Sequence, residues 1–127
     1  MEFTISTNKQ EELIDITNQV EKLVEDKEGN AVLVYVVHAT AGIIVNENYD
    51  EAVCDDIIDY LKKSIPAGVW KHGAIDNNAD SHIKASIIGP GQVIPLENGK
   101  LMLGRWQGIA LAEFDGPKQR KIIVKII

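Results

Sequence analysis

His72 and His82 bracket a polar stretch, KHGAIDNNADSH (residues 71–82), that also holds Asn78 and Asp80. The third histidine of the chain, His38, closes the apolar run AVLVYVVH. Three imidazole nitrogens make a full protein ligand set for a catalytic Zn(II), with water at the open fourth position. Positions 38, 72 and 82 lack the short spacings of a metal-binding motif. By spacing alone they read better as three unrelated histidines, one at a strand end and two in turns. Asp80 stands two residues before His82, so in an extended segment both side chains point the same way. The carboxylate would then orient a ligand imidazole or act as a base beside a bound water.

Other polar groups gather where apolar runs stop. Asn46, Glu47 and Asn48 end the run AGIIVNEN, and Glu113 and Asp115 follow IALA. Such loop positions commonly carry function on a rigid scaffold. Arg120 lies in PKQRK (residues 117–121), which reads as a solvated turn that could hold a small anion. GPGQ (residues 89–92) and DGPK (residues 115–118) fit ordinary turns better than phosphate cradles, because neither opens a helix. Trp70 and Trp106 read as core or rim aromatics. Gly104 and Gln107 flank Trp106 in a strand that should otherwise alternate, and a glycine there suggests close approach of something else to the backbone. Cys54 falls on the apolar face of a helical pattern and reads as a core filler, not a nucleophile.

Composition narrows the function classes. A chain of 127 residues with 45% hydrophobic residues is long enough for one domain, 1–127, with a core of its own. Its formal charge of −6, with no basic stripe, argues against nucleic acid as a partner. No apolar run reaches the roughly 20 residues that span a bilayer, so no membrane partner is expected. A lone cysteine cannot form an internal disulfide, and no signal peptide is visible at MEFTISTNKQ. The expected location is cytoplasmic.

The elements that must position these groups follow from periodicity. EFTIST and ELIDIT alternate as two short strands, expected to pair as a hairpin. Val20, Leu23 and Val24 share a helical face after Asn18, with Thr17 or Asn18 as cap and Gly29 as terminator. AVLVYVVH and AGIIVNEN are strands. A second helix carries Val53, Ile57 and Leu61, with Asp50 and Glu51 at its start and Lys62 and Lys63 at its end, matching the helix dipole. HIKASIIG alternates and is expected to be a strand. QVIPLENGKLML is a hairpin with Asn98-Gly99 at its tip. RWQGIALAEF and RKIIVKII complete a set of about eight strands and two helices. The fold class is α+β, with mostly antiparallel sheets in a single compact domain. The last strand and LGRWQGIAL are apolar enough to call for a partner sheet, from this chain or from another subunit.

HATAGIIVNENYD, NNADSHIKASIIGPGQVIPLENGKLMLGRWQGIALAEFDGP and the closing RKIIVKII resemble the YjbQ-like family, also called the secondary thiamine-phosphate synthase family. The resemblance runs in order over nearly the whole chain. It implies an α+β domain assembling as a homotrimer, with histidines in a cleft and a divalent metal there. The metal would be Zn(II) by the preference of imidazoles, with Mg(II) suited to a diphosphate substrate. The activity it implies is weak formation of thiamine phosphate from an aminopyrimidine-methyl diphosphate and a thiazole phosphate, alongside an unsettled main role. Carried over by position, the family's polar residues are His38, Asn46, Glu47, Asn48, His72, Asn78, Asp80, His82, Gly104, Trp106, Gln107 and Glu113. The assignments that follow are His38, His72 and His82 as metal ligands, with Asp80, Glu47 or Glu113 as acid or base. Asn46, Asn48, Asn78, Trp106, Gln107 and Arg120 would contact a small phosphorylated substrate. Arg105 stands where the family usually has a small hydroxyl residue, which alters one expected substrate contact. A non-catalytic trimer that binds a small ligand or metal in the same cleft is the alternative.

Overall fold

β-Branched runs punctuated by Asn and Gly turns build two antiparallel sheets in the computed structural model, which describes residues 1–72 and 76–127. Residues 73–75, inside the polar stretch singled out above, lie outside the described residues. In chain order the first half holds β1 (Glu2–Ser6), β2 (Glu12–Asp15), α1 (Thr17–Val24), β3 (Ala31–Val36), β4 (Ala41–Asn46) and α2 (Glu51–Ser64). The second half holds α3 (Ala79–Ile88), β5 (Gly91–Glu97), β6 (Lys100–Leu101), β7 (Gly108–Glu113) and β8 (Gln119–Ile126). One sheet runs β1-β8-β3-β5-β6 and the other β2-β7-β4.

The alternation of each strand decides the layering. Val32, Val34 and Val36 of β3, Ile122 and Val124 of β8, and Ile94 and Leu96 of β5 face inward from the larger sheet. They meet Ile43 of β4 and Ile109 and Leu111 of β7, with Val20 and Val24 of α1 packed into the same cluster. The opposite face of the smaller sheet, through Ala112 and beside Phe114, packs against Ile58 and Leu61 of α2, Ile65 just after it, and Ala85 of α3. The result is three layers: larger sheet, smaller sheet, helices. Fully burying each of these aliphatic side chains contributes about 1.5–3 kcal/mol, so the inter-sheet cluster dominates stability.

Several sequence expectations change. EFTIST and ELIDIT are not a hairpin: β1 pairs with β8 and β2 with β7, in different sheets. Glu12 closes the link between them by accepting the Asn8 and Lys9 backbone N–H groups, both at 2.8 Å. HIKASIIG is not a strand but most of a third helix, α3. Its apparent alternation came from treating Lys84 as a solvent-facing residue, whereas Lys84 is buried. RWQGIALAEF enters its strand only at Gly108. The C-terminal strand needs no second subunit, since β8 is sandwiched between β1 and β3. α1 ends near Glu25, before Gly29, and its start is organised by Asp15, which accepts from both the Thr17 backbone and hydroxyl. The Asn98-Gly99 tip is as expected, with both residues at positive φ.

Gly42 sets how closely α3 approaches β4. A Cβ there would lie 2.8 Å from the Gly89 carbonyl and 2.8 Å from Ile88 Cγ2. Gly42→Ala should therefore push the end of α3 outward and destabilise the protein by roughly 1–3 kcal/mol, the usual range for overpacking. Urea unfolding of the two proteins checks this; an unchanged midpoint would mean that α3 yields freely.

Candidate functional site

The β3–β4 link, residues 37–40, crosses the end of the larger sheet and delivers His38 to a cleft of about 530 Å³. Val37 extends the β3–β8 pairing by donating its N–H to the Lys121 carbonyl at 3.3 Å. One residue on, the ring of His38 takes the place of a backbone acceptor: Lys121 N–H donates to His38 Nε2 at 3.0 Å. Burial, then the nearby Arg120 guanidinium and more weakly Lys118, pull the His38 pKa below its ordinary value, against an opposing pull from Glu113. Tyr35, Ser86 and His82 line the same cleft.

His82 sits on α3 between two clefts. One is shared with His38; the other, of about 310 Å³, is lined by Trp70, His72, Ala79 and Ile83. The rings of His72 and His82 meet edge to face, centroids 5.0 Å apart. Asp76 Oδ2 lies 3.2 Å from His72 Nε2, and Trp70 Nε1 donates to the Pro66 carbonyl at 2.7 Å. The fold thus gathers all three histidines around one helix. Among the described residues no group of three His, Cys, Asp or Glu side chains is placed to hold a single ion.

The carboxylates expected to do acid–base work are committed elsewhere. Asp80 is 7% exposed and faces Lys84, whose Nζ donates to Asp80 Oδ2 at 2.9 Å and also to Glu11. Because the segment is helical, residues two apart diverge by about 200°. The extended geometry that would have set Asp80 beside His82 is therefore replaced by an i,i+4 ion pair on a different face. Glu113 is fully buried: Arg120 Nε donates to its Oε2 at 2.8 Å, Thr7 Oγ1 at 2.9 Å, and the Asp115 backbone N–H to Oε1 at 2.9 Å. Burial alone would raise the Glu113 pKa, but the bonds from Arg120, Asp115 and Thr7 outweigh it and hold the carboxyl below its usual range. Arg120, read as an anion contact in a turn, is instead 2% exposed within β8, with its second nitrogen on Thr40 Oγ1 at 2.8 Å. Asn78 donates to Asp115 at 3.0 Å, and Lys118 caps the same oxygen at 2.6 Å.

The remaining candidates occupy the other end of the smaller sheet. β4 runs from Ala41, opposite Glu113, to Asn46, opposite Gly108, a rise of about 17 Å. There Asn46 accepts from the Glu47 backbone N–H, and Asn48 Nδ2 donates to the Ile109 carbonyl at 3.2 Å. Asn48 Oδ1 is buried without a partner among the described residues, directly against Gly108, where a Cβ would lie 2.2 Å away. Trp106 is 60% exposed under the Arg105 guanidinium, and Gln107 accepts from the Gly104 N–H at 2.8 Å. Within one chain this group and the histidines are separate. Burial and the carboxylates Asp55 and Asp50 push the Cys54 thiol up, in keeping with an unreactive residue.

Sequence reasoning missed Glu11, Lys84, Thr7, Thr40 and Tyr35. The Asp80–Lys84 spacing of four was a visible signal, but only for a helix. Glu11, Thr7 and Thr40 are joined to the site by contacts over long separations, for which a single sequence carries no sign.

A family model described as UPF0047 protein, YjbQ-like, matches residues 1–127. A UPF0047 protein of Archaeoglobus fulgidus is 46% identical, with all of both chains covered. The UPF0047 protein YugU of Bacillus subtilis is 39% identical over 97% of this chain and 95% of its own. Among solved structures, an uncharacterised YjbQ/UPF0047 family protein from Clostridium acetobutylicum superposes with a TM-score of 0.94 at 46% identity, covering 100% of this chain and 99% of that one. A protein of unknown function from Sulfolobus solfataricus gives 0.94 at 41% identity, over 99% and 94%.

The Asp80–Lys84–Glu11 contacts generate a prediction opposite to that for a catalytic base. Asp80→Asn leaves the buried Lys84 ammonium with a single carboxylate, and stability should fall by about 1–3 kcal/mol. Chemical unfolding measures it. An unchanged midpoint combined with a hundredfold loss of turnover would instead place Asp80 in contact with substrate.

Proposed function

We propose, for a chain that belongs to the YjbQ-like UPF0047 family, that the clefts on either side of His82 form the active site of a small metal-dependent enzyme acting on a phosphorylated substrate. The observation that carries this reading is the His72–His82 pair. Two imidazoles on one tetrahedral ion, each with a metal–nitrogen distance of about 2.0–2.1 Å, place their ring centres roughly 5 Å apart. The observed separation is 5.0 Å. Asp76, on His72 Nε2, supplies the outer carboxylate that orients a ligand imidazole. His72 and His82 are thus the proposed ligands, and Zn(II) the ion that nitrogen donors prefer.

When bound, the ion supplies positive charge that polarises a substrate oxygen or acidifies a water. In thiamine-phosphate formation the thiazole nitrogen forms a C–N bond to the aminopyrimidine methylene. The C–O bond to the diphosphate breaks, and pyrophosphate leaves with the electron pair. This step needs no base, but it needs charge on the leaving group and close placement of the two partners. Imidazole ligands suit hydrolysis of an ester or amide better than pyrophosphate release, for which carboxylates and Mg(II) are the usual means. We therefore read thiamine-phosphate formation as a weak side activity of a hydrolytic site.

One observation favours the second reading, a non-catalytic trimer that binds a ligand or metal. Among the described residues no carboxylate lines the His38–His82 cleft, and Asp80 and Glu113 are internally paired. Support for assembly comes from the outer face of the larger sheet, where Tyr35 is 38%, Val37 43% and Val93 60% exposed. No helix among the described residues is long and apolar enough to cross a membrane. The lone Cys54 suits a reducing cytoplasm.

Three measurements test this reading. The purified protein should retain about one divalent ion per chain by elemental mass spectrometry, and His72→Ala or His82→Ala should lose it with the fold intact. Chelation should abolish turnover of thiamine-phosphate precursors or of generic phosphate and carboxylate esters; turnover insensitive to chelator would end the metal-dependent reading. In light scattering the particle should have three times the chain mass, and a stable monomer at micromolar concentration would remove the assembly from the proposal.

A further inference from the structure

We propose that His38 is a fixed, neutral hydrogen-bond donor, presenting Nδ1–H to an anionic phosphoryl oxygen of the ligand, and is not a metal ligand. The starting point is its bond to the strand beside it. A backbone N–H can only donate, so the ring nitrogen that receives it must offer a lone pair. His38 Nε2 receives Lys121 N–H at 3.0 Å, so that nitrogen carries no proton and is not available to an ion. The ring proton of the neutral imidazole then sits on Nδ1. Nδ1 has no hydrogen-bond partner among the described residues, and His38 lines the cleft of about 530 Å³ that also holds His82, Tyr35 and Ser86.

The surroundings favour that one tautomer and an anionic guest. Charging His38 would put a second donor against the Lys121 N–H and add a cation near Arg120 and Lys118. Burial and these two cations depress its pKa accordingly. Arg120 and Lys118 are themselves paired with Glu113 and Asp115, and among the described residues no Asp or Glu lines the cleft to oppose an anion. A neutral imidazole held by a backbone bond costs little reorganisation when it donates, which is what a preorganised electrostatic contact requires. The position is also stiff. Thr40, two residues on, is tied by its hydroxyl to the buried Arg120 at 2.8 Å, and the next β8 residue supplies the amide that holds the ring.

This inference rests on the reading of a phosphorylated ligand, and the experiment separates the two. Two-bond nitrogen–proton correlation spectra of the full chain at neutral pH should show the His38 proton on Nδ1; a proton on Nε2 overturns the proposal. Inorganic phosphate is then titrated against the parent, His38→Gln and His38→Asn. Glutamine can still accept from Lys121 N–H but has no donor at the δ position, and phosphate affinity should fall roughly ten- to hundredfold. Asparagine keeps a δ donor and should bind close to the parent. Equal binding by the glutamine variant would overturn the donor role even if it melts normally. Metal content distinguishes the remaining cases. If His38→Asn alone loses a bound ion, His38 is a ligand and this inference falls while the metal reading survives. If the parent holds no ion but the phosphate pattern is as stated, the metal reading falls and the donor stands.

Discussion

A guanidinium and a carboxylate are sealed between the two sheets, and much of the site end of the molecule depends on that pair. Arg120 projects from β8 in the larger sheet and Glu113 from β7 in the smaller one, joined through two nitrogens and two oxygens. Neither charge survives alone in such a place. Removing one partner of a buried pair typically costs about 3–5 kcal/mol, because the other remains buried and uncompensated. The spare valences are also used: Thr40 takes the second guanidinium nitrogen, while Thr7 and the Asp115 amide complete the carboxylate. Three chain segments, 7, 40 and 115, are thereby pinned to one ion pair. The segments are the β1–β2 link, the β3–β4 link and the turn after β7. The links that close one end of the sheet sandwich are held by polar contacts in a position where an apolar cluster would have left their backbone groups unpaired.

That constraint explains why the helical layer is polar where α3 meets it. Ser81 donates to the Phe114 carbonyl at 2.6 Å, one residue from Glu113. On the next turn Lys84 reaches Asp80 and Glu11, a second buried ion group on the opposite side of the smaller sheet. Small residues, Ala79, Ser81 and Ala85, let the helix lie close, and Gly42 on β4 accepts its far end. His82 falls outside this buried face, between the residues that dock the helix, and so is exposed to clefts on both of its flanks. Its position is a by-product of how α3 docks, and it is as rigid as that docking.

Strand type, hairpin tip and the longer helix were legible because each is written locally. Val32, Val34 and Val36 alternate, Asn98-Gly99 takes the positive φ that its type permits, and Asp50 caps α2 through the Ala52 N–H. What could not be read was partnership. EFTIST and ELIDIT look like a hairpin because they are near in sequence, yet each pairs with a strand about a hundred residues away, β8 and β7. The α3 segment failed for a physical reason: a lysine was assumed to need water, and a buried lysine with two carboxylates does not. The same assumption misplaced Arg120 on the surface. Of the site, His72 meets the His82 ring and His38 shares a cleft with His82 through long-range packing that spacing does not encode. Spacing had argued for scatter.

The pattern of paired and unpaired groups then separates two kinds of polar residue that look alike in sequence. Glu113, Arg120, Asp80 and Lys84 are charged, buried and saturated with partners, so they hold the scaffold. Among the described residues, His38, His72 and His82 each leave a ring nitrogen with no protein partner, on surfaces that open to clefts. Only His38 has one nitrogen fixed by the backbone, and that asymmetry follows from strand geometry. β3 stops pairing at Val36, Val37 makes one further bond to Lys121, and the chain then turns toward Thr40. The amide of Lys121 is left facing outward from a sheet that has run out of carbonyls. An imidazole fills the vacancy, and in doing so it loses its freedom to bind a metal through that nitrogen and acquires a defined donor on the other. The scaffold charges therefore reach the His38 cleft indirectly, through the Thr40 anchor on Arg120 and the neighbouring Lys121 amide that fixes one ring.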